Sequence, residues 1–140
     1  MIEHSELEQR ILAELEEAGE ETVGTLINTV TASAGDPAES NRCFAAIGSL
    51  IGSDLVRMSN SRGADRRLEP LPQRDSLAVL DSLASKIKYD PNKSYWRDTS
   101  VIAGKPLRDD PPAVILTVSG KATSIAILTG RGYQWWRVKS

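Results

Sequence analysis

The sequence predicts an α+β fold in which a helical first half is followed by short strands, a further helix and a glycine-punctuated tail. Three observations carry that expectation. Apolar residues recur at helical spacing behind capping signals across residues 5–52. Two β-prone stretches then flank a Ser/Asn/Gly-rich turn within 55–71. Beyond residue 112, β-branched runs alternate with Ser119-Gly120 and Gly130-Arg131-Gly132 breaks.

Ser5-Glu6-Leu7-Glu8 has the spacing of a capping box, in which a serine and the glutamate three residues on each satisfy an orphan N–H. Leu7, Ile11, Leu12, Leu15 and Ala18 follow at helical intervals, Glu14, Glu16 and Glu17 fall on the solvent side, and Gly19 supplies a stop. A shorter helix is expected from Gly24 to about Thr31 through Leu26, Ile27 and Val30. Asp36-Pro37-Ala38-Glu39 combines three start signals for a helix over 36–52. Its apolar stripe is Cys43, Phe44, Ile47, Leu50 and Ile51; the opposite face carries Ala38, Asn41, Arg42, Ala45 and Ser49, none of them acidic. Leu55–Met58 and Arg66–Leu71 read as a β-hairpin, with Pro70 confining the second strand to an edge. A helix is predicted from Arg74 to Tyr89, capped by Asp75 or Ser76, with Leu77, Leu80, Leu83, Ala84 and Ile87 on one side. Residues 89–112 read as irregular. The tail fits two structures. One is a β-meander through 114–118, 123–129 and 133–138, which propensity favours; the other is strand, helix and strand, with Ala122, Ile125, Ala126 and Leu128 as the buried stripe.

A chain of 140 residues is one domain, or one small domain with an appendage; the expected division is 1–72 and 73–140. With 40% apolar and 26% charged residues it is expected to fold as a soluble globular protein. No apolar run approaches the ~20 residues of a membrane span. The acidic N-terminus lacks the pattern of a signal peptide. One cysteine forbids an internal disulfide and one histidine forbids a His cluster, which points to a reducing cytoplasm and away from thiolate–imidazole metal sites. The net charge of −2 is a cancellation. Residues 1–39 hold ten acids and one base, residues 40–74 three acids and six bases, and residues 113–140 no acid and four bases. Such segregation implies one acidic and one basic surface.

Helix, helix, capped helix and basic hairpin is the order of a winged helix-turn-helix. The passage Leu50-Ile51-Gly52-Ser53-Asp54-Leu55-Val56-Arg57 resembles the step from recognition helix into wing, and Asp65-Arg66-Arg67 resembles the wing tip of MarR-type regulators. Leu116-Thr117-Val118-Ser119-Gly120-Lys121 is similar to the helix start that follows such wings. The likeness spans roughly residues 5–71. It departs from the MarR pattern in having no preceding dimerisation helix, and in Leu71-Pro72-Gln73-Arg74 standing after the expected wing.

The resemblance implies sequence-specific binding of double-stranded DNA by a bacterial or phage transcriptional regulator. The helix 36–52 would lie in the major groove and the hairpin 55–71 would act as wing. Asn41, Arg42, Ala45 and Ser49 would face base edges, where Asn and Arg can pair bidentately with adenine and guanine. Arg57, Arg62, Arg66 and Arg67 would flank phosphates. Tyr133, Trp135 and Trp136 interleave with Lys121, Arg131, Arg137 and Lys139, a pattern suited to stacking and phosphate tracking. Arg131, Trp135 and Arg137 are therefore candidate secondary contacts, with one of the adjacent tryptophans expected in the core. No catalytic constellation is visible and no cofactor is implied, so an enzyme is not expected. The alternative is a protein-interaction or assembly module on the same scaffold. A homodimer through the helix at 75–88 is compatible with either reading.

Overall fold

The structure is a computed structural model describing residues 4–31, 36–59, 62–63, 69–92, 95–98, 109–110, 112–132 and 135–137. Its first helix, α1 (Glu6–Ala18), begins with the complete capping box of Ser5 and Glu8 and ends at Gly19, whose φ of +85° suits a residue without a Cβ. A three-residue strand β1 (Glu20–Thr22) leads into α2 (Val23–Val30), where Thr22 caps by accepting from the Thr25 amide. Helix α3 (Pro37–Gly52) starts as its signals predict, with Asp36 accepting from Ala38 and Pro37 in the first turn. The expectations for these three helices hold within a residue or two.

The strand after α3 departs from the sequence reading. Among the described residues, the ladder partner of β2 (Val56–Met58) is not in the expected second strand, of which 66–68 lie outside the described residues. β2 pairs antiparallel with a distant strand, β7 (Ala113–Leu116), through Val56↔Leu116 and Met58↔Val114. β7 also pairs with β1, giving a three-stranded antiparallel sheet in the order β1-β7-β2. Farther along the same chains, β3 (Arg62–Gly63) pairs with β6 (Asp109–Asp110) as Arg62↔Asp110 and Gly63↔Asp109. Each residue gained on one side is one lost on the other, so both ladders keep a single register. Of the hairpin expected within 55–71, the described residues retain only the bridge Ser59↔Pro70 and the Leu71 N–H bond to Met58 O at 2.8 Å.

Between these ladders lies α4 (Gln73–Ala84), followed by the hairpin β4 (Ile87–Asp90) and β5 (Tyr95–Asp98). α4 stops five residues before the expected Tyr89, and Ile87 enters a strand. Neither Asp75 nor Ser76 caps it. The Ser76 hydroxyl instead accepts from the Met58 amide and donates to Leu71 O, joining α4 to β2. Gln73 donates to Ile51 O at 2.7 Å, satisfying a carbonyl at the end of α3. Leu80 and Leu83 are buried in the same cluster as Ile11, Ile47, Leu50, Trp96 and Val114, so segments 1–72 and 73–140 share one core.

The tail resolves against the meander. Residues Val118–Arg131 form a helix, α5, capped by Thr117, whose hydroxyl accepts from the Gly120 amide. A 3-10 turn over Trp135–Arg137 follows. The buried side of α5 is Gly120, Ser124 and Leu128; Ile125 is exposed, as are Ala122 and Ala126, so the stripe expected there is rotated. The cause is Gly120. A Cβ at that position would collide with the Leu55 carbonyl oxygen and lie 2.8 Å from its carbon, so only glycine lets α5 dock against this backbone. Thr117 completes the joint, its amide donating to Leu55 O at 3.0 Å and its hydroxyl to Asp54 O at 2.6 Å.

Candidate nucleic-acid interface

α3 is built with two unlike faces. Cys43, Ile47, Leu50 and Ile51 are buried, and burial pushes the Cys43 thiol up to about 12, which leaves it unreactive as a thiolate. On the other side Ala38, Asn41, Arg42, Ala45, Ser49 and Gly52 are all exposed, as the helical rotation predicts. Arg42 pairs with Glu39 one turn back, which partly neutralises its charge.

The Arg57 side chain is only 24% exposed and is engaged locally. It bonds Asp54 Oδ1 through Nε at 3.0 Å and Leu71 O through Nη1 at 3.2 Å, tying β2 to the segment before α4. Asp54 itself adopts φ +60°, an uncommon conformation for a residue with a side chain. Arg62 stands opposite Asp110 in the ladder. Arg66 and Arg67, with Asp65, lie outside the described residues.

Of the C-terminal candidates, Arg131 and Trp135 meet α1 instead of joining the α3 face. Arg131 donates to both carboxylate oxygens of Glu6, at 2.7 and 3.1 Å, and to Gln9 at 3.0 Å. Its guanidinium sits 3.4 Å from the centroid of the Trp135 ring, with Arg10 at 5.5 Å from the same ring. The hydrogen bonds from Arg131 hold the Glu6 carboxyl below its ordinary value. Trp136 is buried against Ala13 and Leu128, the core role expected of one member of the pair. Arg137 lies in the 3-10 turn. Lys121 pairs with Glu16 at 3.7 Å.

The opposite charges of residues 1–39 and 113–140 are thus partly matched inside the protein, because α1 and α5 pack on one another and share the pairs Arg131–Glu6 and Lys121–Glu16. Glu14, expected in solvent, is buried. Nothing in the local sequence of α1 announces this; the signal was the complementary sign of the two segments. Among the described residues, no group of three or more His, Cys, Asp or Glu side chains is arranged to hold a metal ion. No helix among them is long and apolar enough to cross a membrane. Comparison with protein-family models, with curated proteins and with solved structures finds no match to this chain.

Proposed function

We propose that this chain binds double-stranded DNA sequence-specifically as a winged helix-turn-helix protein and acts as a transcriptional regulator. α3 enters the major groove and the β2–β7 pair leads into the wing. The observation that carries this reading is the two-faced α3, anchored by Cys43, Ile47, Leu50 and Ile51 and presenting Asn41, Arg42, Ala45 and Ser49 outward. The order α1-β1-α2-α3-β2-β7, with β7 central in the sheet, supports it. In this reading α4 and the β4–β5 hairpin are an elaboration inserted in the wing.

A second reading, a protein-interaction module on the same scaffold, draws on the pairing of Arg42 with Glu39 and Arg57 with Asp54, which lowers the positive potential that DNA requires. One experiment separates them. Binding sites are selected from random duplexes and titrated by mobility shift at two salt concentrations. DNA recognition requires that Asn41→Ala with Arg42→Ala weaken the selected site by about 10-fold or more, as loss of bidentate base contacts implies. Arg66→Ala with Arg67→Ala should lower the salt slope. If neither selection nor salt dependence is obtained, the interaction module is the better reading.

A further inference from the structure

We propose that the outer face of α5 pairs with the same face of a second copy of this chain, the two helices antiparallel about a two-fold axis. Among the described residues three large apolar side chains are exposed: Val118 at 91%, Ile125 at 47% and Leu77 at 42%. Two of them lie on α5, with Ala122 and Thr129, at steps of four, three and four residues. That is the seam spacing of paired helices, and at 3.6 residues per turn it lies about 130° around the helix from the side that α5 buries through Gly120, Ser124 and Leu128. The seam is uncharged, and α5 contains no acidic residue. A partner of complementary charge is therefore not what it fits.

The seam fits itself. Antiparallel pairing sets Ala122 against Ile125 of the other copy and Val118 against its Thr129, so the largest side chain meets the smallest. Both contacts occur twice under the two-fold, as an isologous interface demands. Neighbouring Ala126 is also exposed, and small residues permit close helix approach. Beyond Val118 the character of the surface changes: the adjoining open groove of about 640 Å³ is lined by the charged Asp54 and Arg57 as well as by Pro70, Leu71 and Leu116, so the apolar seam ends at the start of α5. A helix of 14 residues is about 21 Å long, and such a pair alone buries less than the ~800 Å² per partner of a standard interface. The expected dimer is weak, with Kd on the order of 10–100 μM. Leu80 and Leu83, on the helix through which the sequence allows a homodimer, are packed inside the subunit. This inference does not depend on DNA binding.

Sedimentation equilibrium of the full chain from about 1 μM to about 1 mM brackets that Kd. The expected result is a monomer–dimer equilibrium. Ile125→Glu, which would bury an unpaired carboxylate in the seam, is expected to raise Kd by about 10-fold or more while leaving the thermal melt unchanged. Leu77→Glu on α4 should leave Kd as it is. A monomer throughout the range overturns the proposal, as does an Ile125→Glu variant that dimerises like the parent. Loss of dimer in Leu77→Glu alone would move the interface to α4. A parent that stays monomeric while Ile125→Glu loses a co-purifying protein would assign the face to a different partner.

Discussion

Replacing Gly120 by alanine should unfold much of the joint between α5 and β2, whereas the same change at Gly130 should stabilise the protein. Both glycines lie within α5, so intrinsic helix propensity favours alanine by up to about 1 kcal/mol at each. Their surroundings differ. Nothing lies within 4 Å of a Cβ at Gly130, while one at Gly120 overlaps the Leu55 carbonyl, a rigid backbone group. Relieving that overlap means withdrawing the helix start. Overpacking then costs about 1–3 kcal/mol. The bonds from Thr117 to Leu55 O and Asp54 O, worth about 1 kcal/mol each, are lost with it. Set against the propensity gain, Gly120→Ala should destabilise by about 2–4 kcal/mol. Gly130→Ala should stabilise by about 0.5–1 kcal/mol. Urea denaturation of the two variants beside the parent measures both. If Gly120→Ala unfolds at the parent midpoint, the close approach of α5 to Leu55 is refuted.

The clasp between Arg131 and Glu6 should be acid-sensitive. Because the folded-state carboxyl titrates below its ordinary value of 4.5, its contribution is complete above that pH and is lost as pH falls through the folded value. The pair is exposed, so Glu6→Gln should cost less than about 1 kcal/mol at pH 7. Thermal melts should show that difference shrinking toward pH 3; a constant difference would argue against the ion pair. On the other side of the core, Asn28 accepts from the Trp96 amide at 2.7 Å and donates to its carbonyl at 2.9 Å. Asn28→Ala should destabilise by about 1–3 kcal/mol and raise hydrogen exchange at the Trp96 amide, and unchanged protection there would count against the clamp.

What could be read in the sequence was local. Ser5 with Glu8, Gly19, and Asp36 with Pro37 define helix ends by bonds spanning a few residues, and those ends are where the structure has them. The exposed face of α3 followed from rotation alone. The partner of β2 was not legible, because the turn-rich Ser59–Ala64 suggests a short hairpin while the pairing is decided by the apolar run Ala113–Leu116 far along the chain. Ile87 misled for a related reason: it lies four residues after Leu83, a helical interval that both a helix and the observed turn into β4 satisfy. In the tail, β-branched residues at 123–127 outweighed the helix-start pattern of Thr117 and Gly120. The close docking that makes this glycine necessary is a tertiary property. Likewise, Arg131 and Trp135 carry the right chemistry for nucleotide contact, yet they engage one another and Glu6 of the same chain.

The pairing of β2 with β7 also has a kinetic meaning. The hairpin expected from the sequence would close across the seven residues 59–65, whereas here residues 59–112 separate the strands. For about fifty residues instead of about seven, chain-closure entropy adds roughly 2 kcal/mol to the cost of bringing the ends together. Contacts among α1, α2 and α3 span short stretches and can form before that cost is met; the sheet, with α5 docked beneath it, cannot. Folding should therefore be paced by the return of Ala113–Leu116 to its place between β1 and β2, late in the search and after most of the chain has emerged.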